Sequence, residues 1–207
     1  LTGQDDVVIG APIATRSSLE TEEMLGLCLN NLVIRTRLEG SLSFSNLLTK
    51  VREVTLAAYV HQELPFEKLV EELHPDRQLG FTPLFQVFLN VAPLGDDGLH
   101  LPGVLAERIT TATVGDSKFD LTLYAHEQSG TVQLKLVYNS ELFDRERMQE
   151  FLDQFHYLAE QIVAAPRRSI DSYSLVTPRF KSLLPNPALA LPEPKFDPIV
   201  VTIDRWA

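Results

Sequence analysis

The 207-residue sequence has one cysteine, few basic residues and no long apolar run. A single cysteine excludes an intrachain disulfide and a cysteine-based zinc cage. No apolar run approaches the roughly 18 residues that a membrane-spanning helix needs. Lys and Arg total 18 against 28 Asp and Glu, for a net charge of −10. Because binding to phosphate backbones requires clustered cations, this balance argues against a nucleic-acid partner.

The N-terminus also lacks a targeting signal. The opening residues, LTGQDD, have neither a basic start nor an apolar signal core, and no Met precedes them. We therefore expect a piece of a cytoplasmic protein. Cys28 lies in an apolar stretch and is expected to be a buried, inert thiol, since reactive cysteines need an electropositive and partly exposed setting.

Apolar periodicity predicts a mixture of strands and helices. Strands are expected at 7–9, 27–38 and 84–91, and a hairpin is expected to turn at Ser129 and Gly130. Helices are expected from a cap at Ser43 to about Tyr59, from Pro65 to 73, and from Asp144 to Pro166. The stretch before Met24 reads as a loop or a short helical turn, and 93–103 as a loop. Because 84–91 is largely apolar, that strand is expected to be covered on both faces.

The C-terminal part has a different composition. Six of the 13 prolines lie between Pro178 and Pro198, a spacing that opposes helix and favours an extended, semi-rigid linker. The predicted organisation is one α/β domain over 1–175, a two-layer sandwich, followed by a Pro-rich linker over 176–207.

Four segments resemble a known family. GLCLNNLVIR occupies 26–35, HQELPFEKLVEEL occupies 61–73, TPLFQVF follows Arg77 at 82–88, and KFDL occupies 118–121. In this order they resemble the later signature motifs of the condensation domains of nonribosomal peptide synthetases. The resemblance implies a chloramphenicol acetyltransferase-like lobe, with a mixed sheet and helices on one face.

The resemblance also implies a reaction and a set of partners. Condensation domains join aminoacyl or peptidyl thioesters, tethered to peptidyl carrier proteins by phosphopantetheine arms, through an amide bond. The family's catalytic segment, HHxxxDG, has no counterpart here, because no two histidines are adjacent. We therefore expect the C-terminal half of a condensation domain, inactive alone. It would serve as scaffold, tunnel wall and docking surface beside an N-terminal half, and its tail would lead into an adenylation domain.

The motifs give candidate residues but no catalytic group. The expected tunnel-side residues are Asn30, Asn31, Arg35 and Thr82. For the two asparagines the alternative is backbone capping, and for Arg35 it is a surface ion pair. Thr82 departs from the Asn frequent in the family, and a hydroxyl donates one hydrogen bond where an amide donates two. The expected structural signature comprises Gly26, His61, Gln62, Pro65, Phe66, Glu67, Arg77, Pro83, Leu84, Phe119 and Asp120.

The KFDL segment carries a further expectation. In the family, a segment of this half crosses to the N-terminal half, so a strand edge near Phe119 is expected to be unpaired and open to another chain.

Other interpretations remain open at this point. None of the five histidines has a Ser or Cys partner in a recognised arrangement, and HxxxH or CxxC metal spacing is absent. The chain could be a non-catalytic remnant that supports an adenylation domain, or half of an epimerisation or cyclisation relative. A trimeric acetyltransferase of related fold is disfavoured, because it too would need a catalytic histidine motif.

Overall fold

The structure is built on one open, mixed sheet of five strands. It is a computed structural model that describes residues 3–16, 19–22, 24–39, 41–75, 82–93, 103–104, 117–128 and 130–183. The strand order is β2-β1-β3-β4-β5. The β1–β2 and β4–β5 pairs are antiparallel, whereas β3 runs parallel to both β1 and β4. This is the mixed α/β sheet that the sequence predicted.

Strands and helices are mixed along the chain, in the order β1-α1-β2-α2-α3-β3-β4-β5-α4-α5. The strands are β1 (Asp6–Ala14), β2 (Leu29–Arg37), β3 (Val87–Pro93), β4 (Leu121–Gln128) and β5 (Thr131–Tyr138). The α-helices are α1 (Leu19–Glu22), α2 (Phe44–Val60), α3 (Phe66–Leu73), α4 (Arg145–Ala164) and α5 (Pro178–Leu183). A 3₁₀ turn at Ile170–Ser172 follows α4.

Strand β1 is longer than its apolar run. The prediction stopped at residue 9, but pairing with β2 continues to Ala14, through a register that sets Pro12 opposite Asn31. The shorter prediction was wrong because it treats Pro12 as a strand terminator. A proline is tolerated in a strand where its missing N–H would not serve the ladder.

The β4–β5 hairpin is confirmed. Leu123 pairs with Leu136 and Ala125 with Leu134, and Gly130 occupies the turn with a φ of 76°, which favours glycine. The expectation of an open edge near Phe119 was wrong. Strand β4 is paired on both sides, by β3 and by β5, and the sheet ends instead at β2 and β5.

Strand β3 begins later and is less covered than predicted. It starts at Val87 because Leu84 has a φ of 72°, which turns the chain before the strand can begin. The side chain of Val91 is 70% exposed, so the expectation of cover on both faces was wrong for the described residues. Val91 lines a groove beside α2.

Local caps set the helix bounds. The Ser43 side chain accepts a hydrogen bond from the Asn46 N–H at 3.2 Å and begins α2. Pro65 is the N-cap of α3, whose first turn carries Glu67, and His74 ends that helix in the left-handed conformation. Asp144 is the N-cap of α4, which stops before Pro166 as predicted.

The apolar side chains that recur at helical spacing along α4, from Met148 to Ile162, are only partly covered. Met148 is buried, but Phe155 is 41% exposed, so these side chains do not form a continuous buried face among the described residues. At its far end α4 is joined to the start of α2: the Phe44 N–H donates to the Arg168 carbonyl at 3.2 Å, and the Ser45 N–H donates to the Pro166 carbonyl at 2.9 Å.

The chain divides into two compact units, Leu1–Leu175 and Val176–Ala207. Within the second, Pro178–Leu183 is a short helix, so the expectation that this stretch excludes helix was wrong for these six residues. Pro178 is the first helical residue, where its missing N–H is not needed, and the Phe180 N–H donates to the Thr177 hydroxyl at 3.3 Å. Residues 184–207, with the remaining prolines, lie outside the described residues.

Candidate functional site

The side chain of Asn30 joins the start of β2 to the turn between α2 and α3. Its amide nitrogen donates to the Gln62 carbonyl at 2.9 Å and to the Leu64 carbonyl at 2.8 Å. Its amide oxygen accepts from the Phe66 N–H at 3.1 Å and from the Asn31 N–H at 2.9 Å. Both donor hydrogens and the acceptor oxygen are therefore used, as in the capping alternative for this residue. The Phe66 N–H, which has no acceptor within the first turn of α3, thereby gains one in the Asn30 amide oxygen.

This junction gives the HQELPFE segment a physical role. His61 closes α2 through its backbone N–H, which donates to the Ala58 carbonyl at 3.1 Å. Pro65 then opens α3, and Phe66 points into an aromatic cluster. The segment forms a corner between α2 and α3, and the Asn30 side chain links this corner to the edge strand β2 by hydrogen bonds.

The aromatic cluster consists of Phe66, Phe85, Phe88 and Phe119. Phe85 lies 5.5 Å from Phe66, 6.0 Å from Phe88 and 5.3 Å from Phe119 between ring centroids. Phe88 and Phe119 stack at 4.6 Å with 10° between their planes. Phe85 is 1% exposed and is the largest fully buried side chain among the described residues. The cluster thereby joins three of the four signature segments in one core.

A tight turn directs Phe85 into that core. The Phe85 N–H donates to the Pro83 carbonyl at 3.0 Å across Leu84, whose φ of 72° is rare for a residue with a side chain. A hydrogen bond from an N–H to the carbonyl two residues earlier, with a positive φ at the residue between them, defines a γ-turn, which is a strained conformation. The signature residues Pro83 and Leu84 therefore form a turn that packs the following ring against Gly10 of β1.

Arg35 lies apart from this corner. Its guanidinium donates to both carboxylate oxygens of Asp6, with Nε–Oδ1 at 3.0 Å and Nη2–Oδ2 at 2.7 Å. Arg37 approaches the same carboxylate at 3.5 Å. The hydrogen bonds from Arg35 lower the pKa of Asp6, and the Arg35 side chain stays mostly exposed. These contacts are those of a surface ion pair, and about 16 Å of extended strand separates Arg35 from Asn30.

The remaining candidate residues are dispersed. The Thr82 carbonyl accepts from the Gln86 amide at 3.1 Å, and the Gly26 carbonyl accepts from Arg16 Nη2 at 3.2 Å. Partial burial raises the pKa of Asp120. Arg77 lies outside the described residues. The tunnel-side roles of Asn30, Asn31, Arg35 and Thr82 remain predictions.

A groove of about 350 Å³ lies between α2 and one face of β1, β2 and β3. Its walls are almost entirely aliphatic, with Thr36, Thr55 and Tyr59 as the polar members. A groove with such walls can hold an apolar group.

The described histidines do not form an acid–base site. His156 Nε2 lies 3.4 Å from Glu160 on the exposed side of α4, and the His74 ring contacts the Glu72 carbonyl at 3.1 Å. His126 stacks on Tyr124. No cluster of three potential metal ligands occurs within the described ranges. Cys28 is half-buried, so the expectation of a buried thiol was wrong.

Sequence reasoning missed Gly10 and Phe85. An ideal Cβ on Gly10 would lie 2.3 Å from the nearest atom of the Phe85 ring. A glycine inside an apolar strand pattern was the available signal, since it often marks a close approach of another group.

Comparison with known proteins identifies the family. The family model described as Condensation domain matches residues 1–184. The chain belongs to the condensation-domain family. It is 42% identical over 180 residues to one of the proteins that make up the linear gramicidin synthase of Brevibacillus parabrevis, and the match covers 84% of this chain and 2% of that protein.

Solved structures agree on the fold. A holo four-domain nonribosomal peptide synthetase bound to AMP and glycine matches with a TM-score of 0.78 at 21% identity, over 88% of this chain and 15% of that one. The starter condensation domain of rhizomide synthetase matches with a TM-score of 0.68 at 24% identity, over 85% of this chain and 41% of that one. The chain thus spans well under half of a solved condensation domain. Within the described residues, no helix is long and apolar enough to cross a bilayer.

Proposed function

We propose that this chain is the C-terminal lobe of a peptide-synthetase condensation domain and that it acts as scaffold, tunnel wall and docking surface for amide-bond formation. The reaction joins an amine on one carrier-bound phosphopantetheine arm to a thioester on another. Positioning of two tethered substrates supplies much of such a rate enhancement. A general base adds about 10²- to 10⁴-fold, and this lobe leaves that group to an N-terminal half.

One observation carries the proposal: a chain that matches the family over residues 1–184 covers only 41% of a solved condensation domain and contains no pair of adjacent histidines. The geometry of the described residues is consistent with a supporting role. The signature segments meet in a corner, which the Asn30 side chain holds by hydrogen bonds to backbone groups, and in an aromatic core held by ring packing. A rigid wall of this kind can hold substrates without reacting with them.

The test is condensation between two loaded carrier proteins, with the dipeptidyl product measured by mass spectrometry. The 207-residue chain alone is expected to give the uncatalysed background rate. A full condensation domain, in which an N-terminal half precedes Leu1 on the same polypeptide, is expected to turn over.

The matched control is that full domain with the second histidine of its HHxxxDG segment replaced by alanine. Its rate should fall by about 10²- to 10⁴-fold, the contribution of the missing base, and stay above that of the chain alone, because the full domain still positions both substrates. Turnover by the chain alone, well above background, would refute the proposal. A full domain that does not condense would refute the assignment of this chain to a catalytic domain.

The tail is proposed as a linker toward an adenylation domain. Its proline spacing and its place after the compact unit Leu1–Leu175 support this. Cytoplasmic location likewise remains a prediction.

A further inference from the structure

The groove between α2 and the sheet has a regular floor, and we refer to it as the α2 groove. Residues two apart in a strand lie on one face of a sheet. The floor consists of such residues from three strands: Val7, Ile9 and Ala11 of β1, Ile34 and Thr36 of β2, and Leu89 and Val91 of β3. The pairing of Ile9 with Ile34 makes the floor continuous from β1 to β2.

Helix α2 forms the opposite wall with residues at every fourth position, which lie on one face of a helix. These residues are Leu47, Val51, Thr55 and Tyr59. At 1.5 Å per residue, the distance along the helix from Leu47 to Tyr59 is roughly 18 Å. The cavity of about 350 Å³ is therefore elongated along α2.

The two ends of the α2 groove differ in exposure. Tyr59 lies near the end of α2, whose following turn contacts Asn30 at the start of β2, whereas Thr36 lies near the end of that strand. Tyr59 is 44% exposed, and Val91, near the carboxyl end of β3, is 70% exposed. Thr36 is 7% exposed. The groove is therefore open to solvent at Tyr59 and Val91 and buried at Thr36.

The walls indicate the class of ligand. Among the described residues that line the α2 groove none is charged, and the polar groups are the hydroxyls of Thr36, Thr55 and Tyr59. Apolar walls with a few hydrogen-bonding groups are typical of small-molecule sites. A helix 10–12 Å across and as long as the groove would occupy roughly 1,400 Å³, which is far more than the cavity volume, so a helical partner does not fit.

We propose that the α2 groove binds an uncharged, single-chain amphiphile such as a fatty alcohol. The aliphatic chain lies along α2 between Val51 and Leu89, and the hydroxyl head contacts Tyr59 at the open end. A fatty-acid carboxylate would find no cation among the lining residues, and an unpaired charge is costly beside apolar walls. The proposed scaffold role does not require this ligand, so either proposal can fail without the other.

Isothermal titration calorimetry of the 207-residue chain with hexanol, octanol and decanol tests the site. The dissociation constant is expected to fall about fourfold for each added methylene group, because each one is buried in the groove. Octanoate at neutral pH is expected to bind at least about tenfold more weakly than octanol. An affinity that does not depend on chain length, or equal affinities for octanoate and octanol, would overturn the proposal.

Two variants of α2 locate the site. Val51→Phe fills part of the groove and is expected to weaken octanol binding at least about tenfold, because the ring displaces about two methylene groups. The matched control is Val60→Phe, since Val60 is on the same helix, is 78% exposed and does not line the groove. It should bind octanol like the wild type. Circular dichroism checks that both variants are folded, and equal binding by two folded variants would contradict the site.

Methyl NMR of the unaltered chain gives a readout that does not depend on the folding of a variant. Octanol is expected to shift the methyl resonances of Ile9, Ile34 and Leu89 in a saturable way. The methyl groups of Val163, which is 82% exposed on α4, should not shift. Shifts of equal size at Val163 and Ile34 would show non-specific binding and would overturn the proposal.

Discussion

The ring of Phe85 occupies the space where a side chain on Gly10 would begin. An ideal Cβ at Gly10 would lie 2.3 Å from Phe85 Cε2 and 2.4 Å from Cζ. Phe85 cannot move aside easily, because Phe66, Phe88 and Phe119 surround it. Strand β1 and the TPLFQVF segment therefore pack this closely only because residue 10 has no side chain.

Gly10→Ala is expected to destabilise the chain by about 1–3 kcal/mol, the usual cost of overpacking a core. Urea unfolding followed by circular dichroism measures it. The matched control is Gly26→Ala, where a Cβ meets nothing within 4 Å; its effect should stay within about 0.5 kcal/mol. Adding Phe85→Leu to Gly10→Ala should recover part of the loss. Equal stability of the two alanine variants would contradict the contact.

The side chain of Asn30 links β2 to the corner between α2 and α3. Asn30→Ala leaves the Gln62 and Leu64 carbonyls without their amide donor and the Phe66 N–H without its acceptor. We expect a loss of about 2 kcal/mol in the free energy of unfolding, because partly buried polar groups lose their partners. Asn30→Asp should cost at least as much, since a carboxylate would face two carbonyl oxygens.

The neighbouring variant Asn31→Ala is the control for this prediction, because only the backbone N–H of Asn31 takes part in the junction. Its unfolding free energy should change by less than about 0.5 kcal/mol. If Asn31→Ala were as destabilising as Asn30→Ala, the corner would not depend on the Asn30 amide.

Helix ends and tight turns were predictable from the sequence because they depend on neighbouring residues. The Ser43 cap, the Pro65 start, the His74 end and the turn at Gly130 each depend on neighbours within a few residues, so their positions were predicted well. The four signature segments were recognised for the same reason. Their resemblance also indicated the family.

Long-range packing was not predictable in the same way. Gly10 and Phe85 belong to separate segments, and only the parallel pairing of β1 with β3, which places Gly10 beside Phe88, brings them together. The pairing of β3 with β4 makes β4 an interior strand, which overturned the expected open edge near Phe119. Periodicity within one segment carries no information about its neighbour in the sheet.

The ion pair between Asp6 and Arg35 predicts a specific acid dependence. Hydrogen bonds from Arg35 hold the pKa of Asp6 below its ordinary value near 3.9. A carboxyl whose pKa is lower in the folded state stabilises that state above its unfolded pKa. The contribution is lost as the pH falls through the folded pKa, below about 4.

Arg35→Gln is therefore expected to raise the pKa of Asp6 toward its ordinary value, as measured by NMR titration of the carboxyl carbon. Because both side chains are solvent-accessible, about 0.5 M salt should shrink the difference between wild type and variant. Lys68→Gln removes a cation that pairs with Glu71 and Glu72 on α3 and should leave Asp6 unaffected. An Asp6 pKa that is the same in wild type and Arg35→Gln would contradict the pairing.

Gln161 fixes the segment that follows α4. Its amide nitrogen donates to the Ser174 carbonyl at 2.8 Å, and its amide oxygen accepts from the Ser174 N–H at 3.0 Å, a reciprocal pair like that between two strands. Gln161→Ala is expected to lower the free energy of unfolding by about 1 kcal/mol and to speed amide exchange at Ser174. Gln149→Ala, which removes an exposed side-chain contact to Asp153 on the same helix, should leave Ser174 unchanged. Exchange at Ser174 that responds equally to both variants would show that Gln161 does not hold this segment.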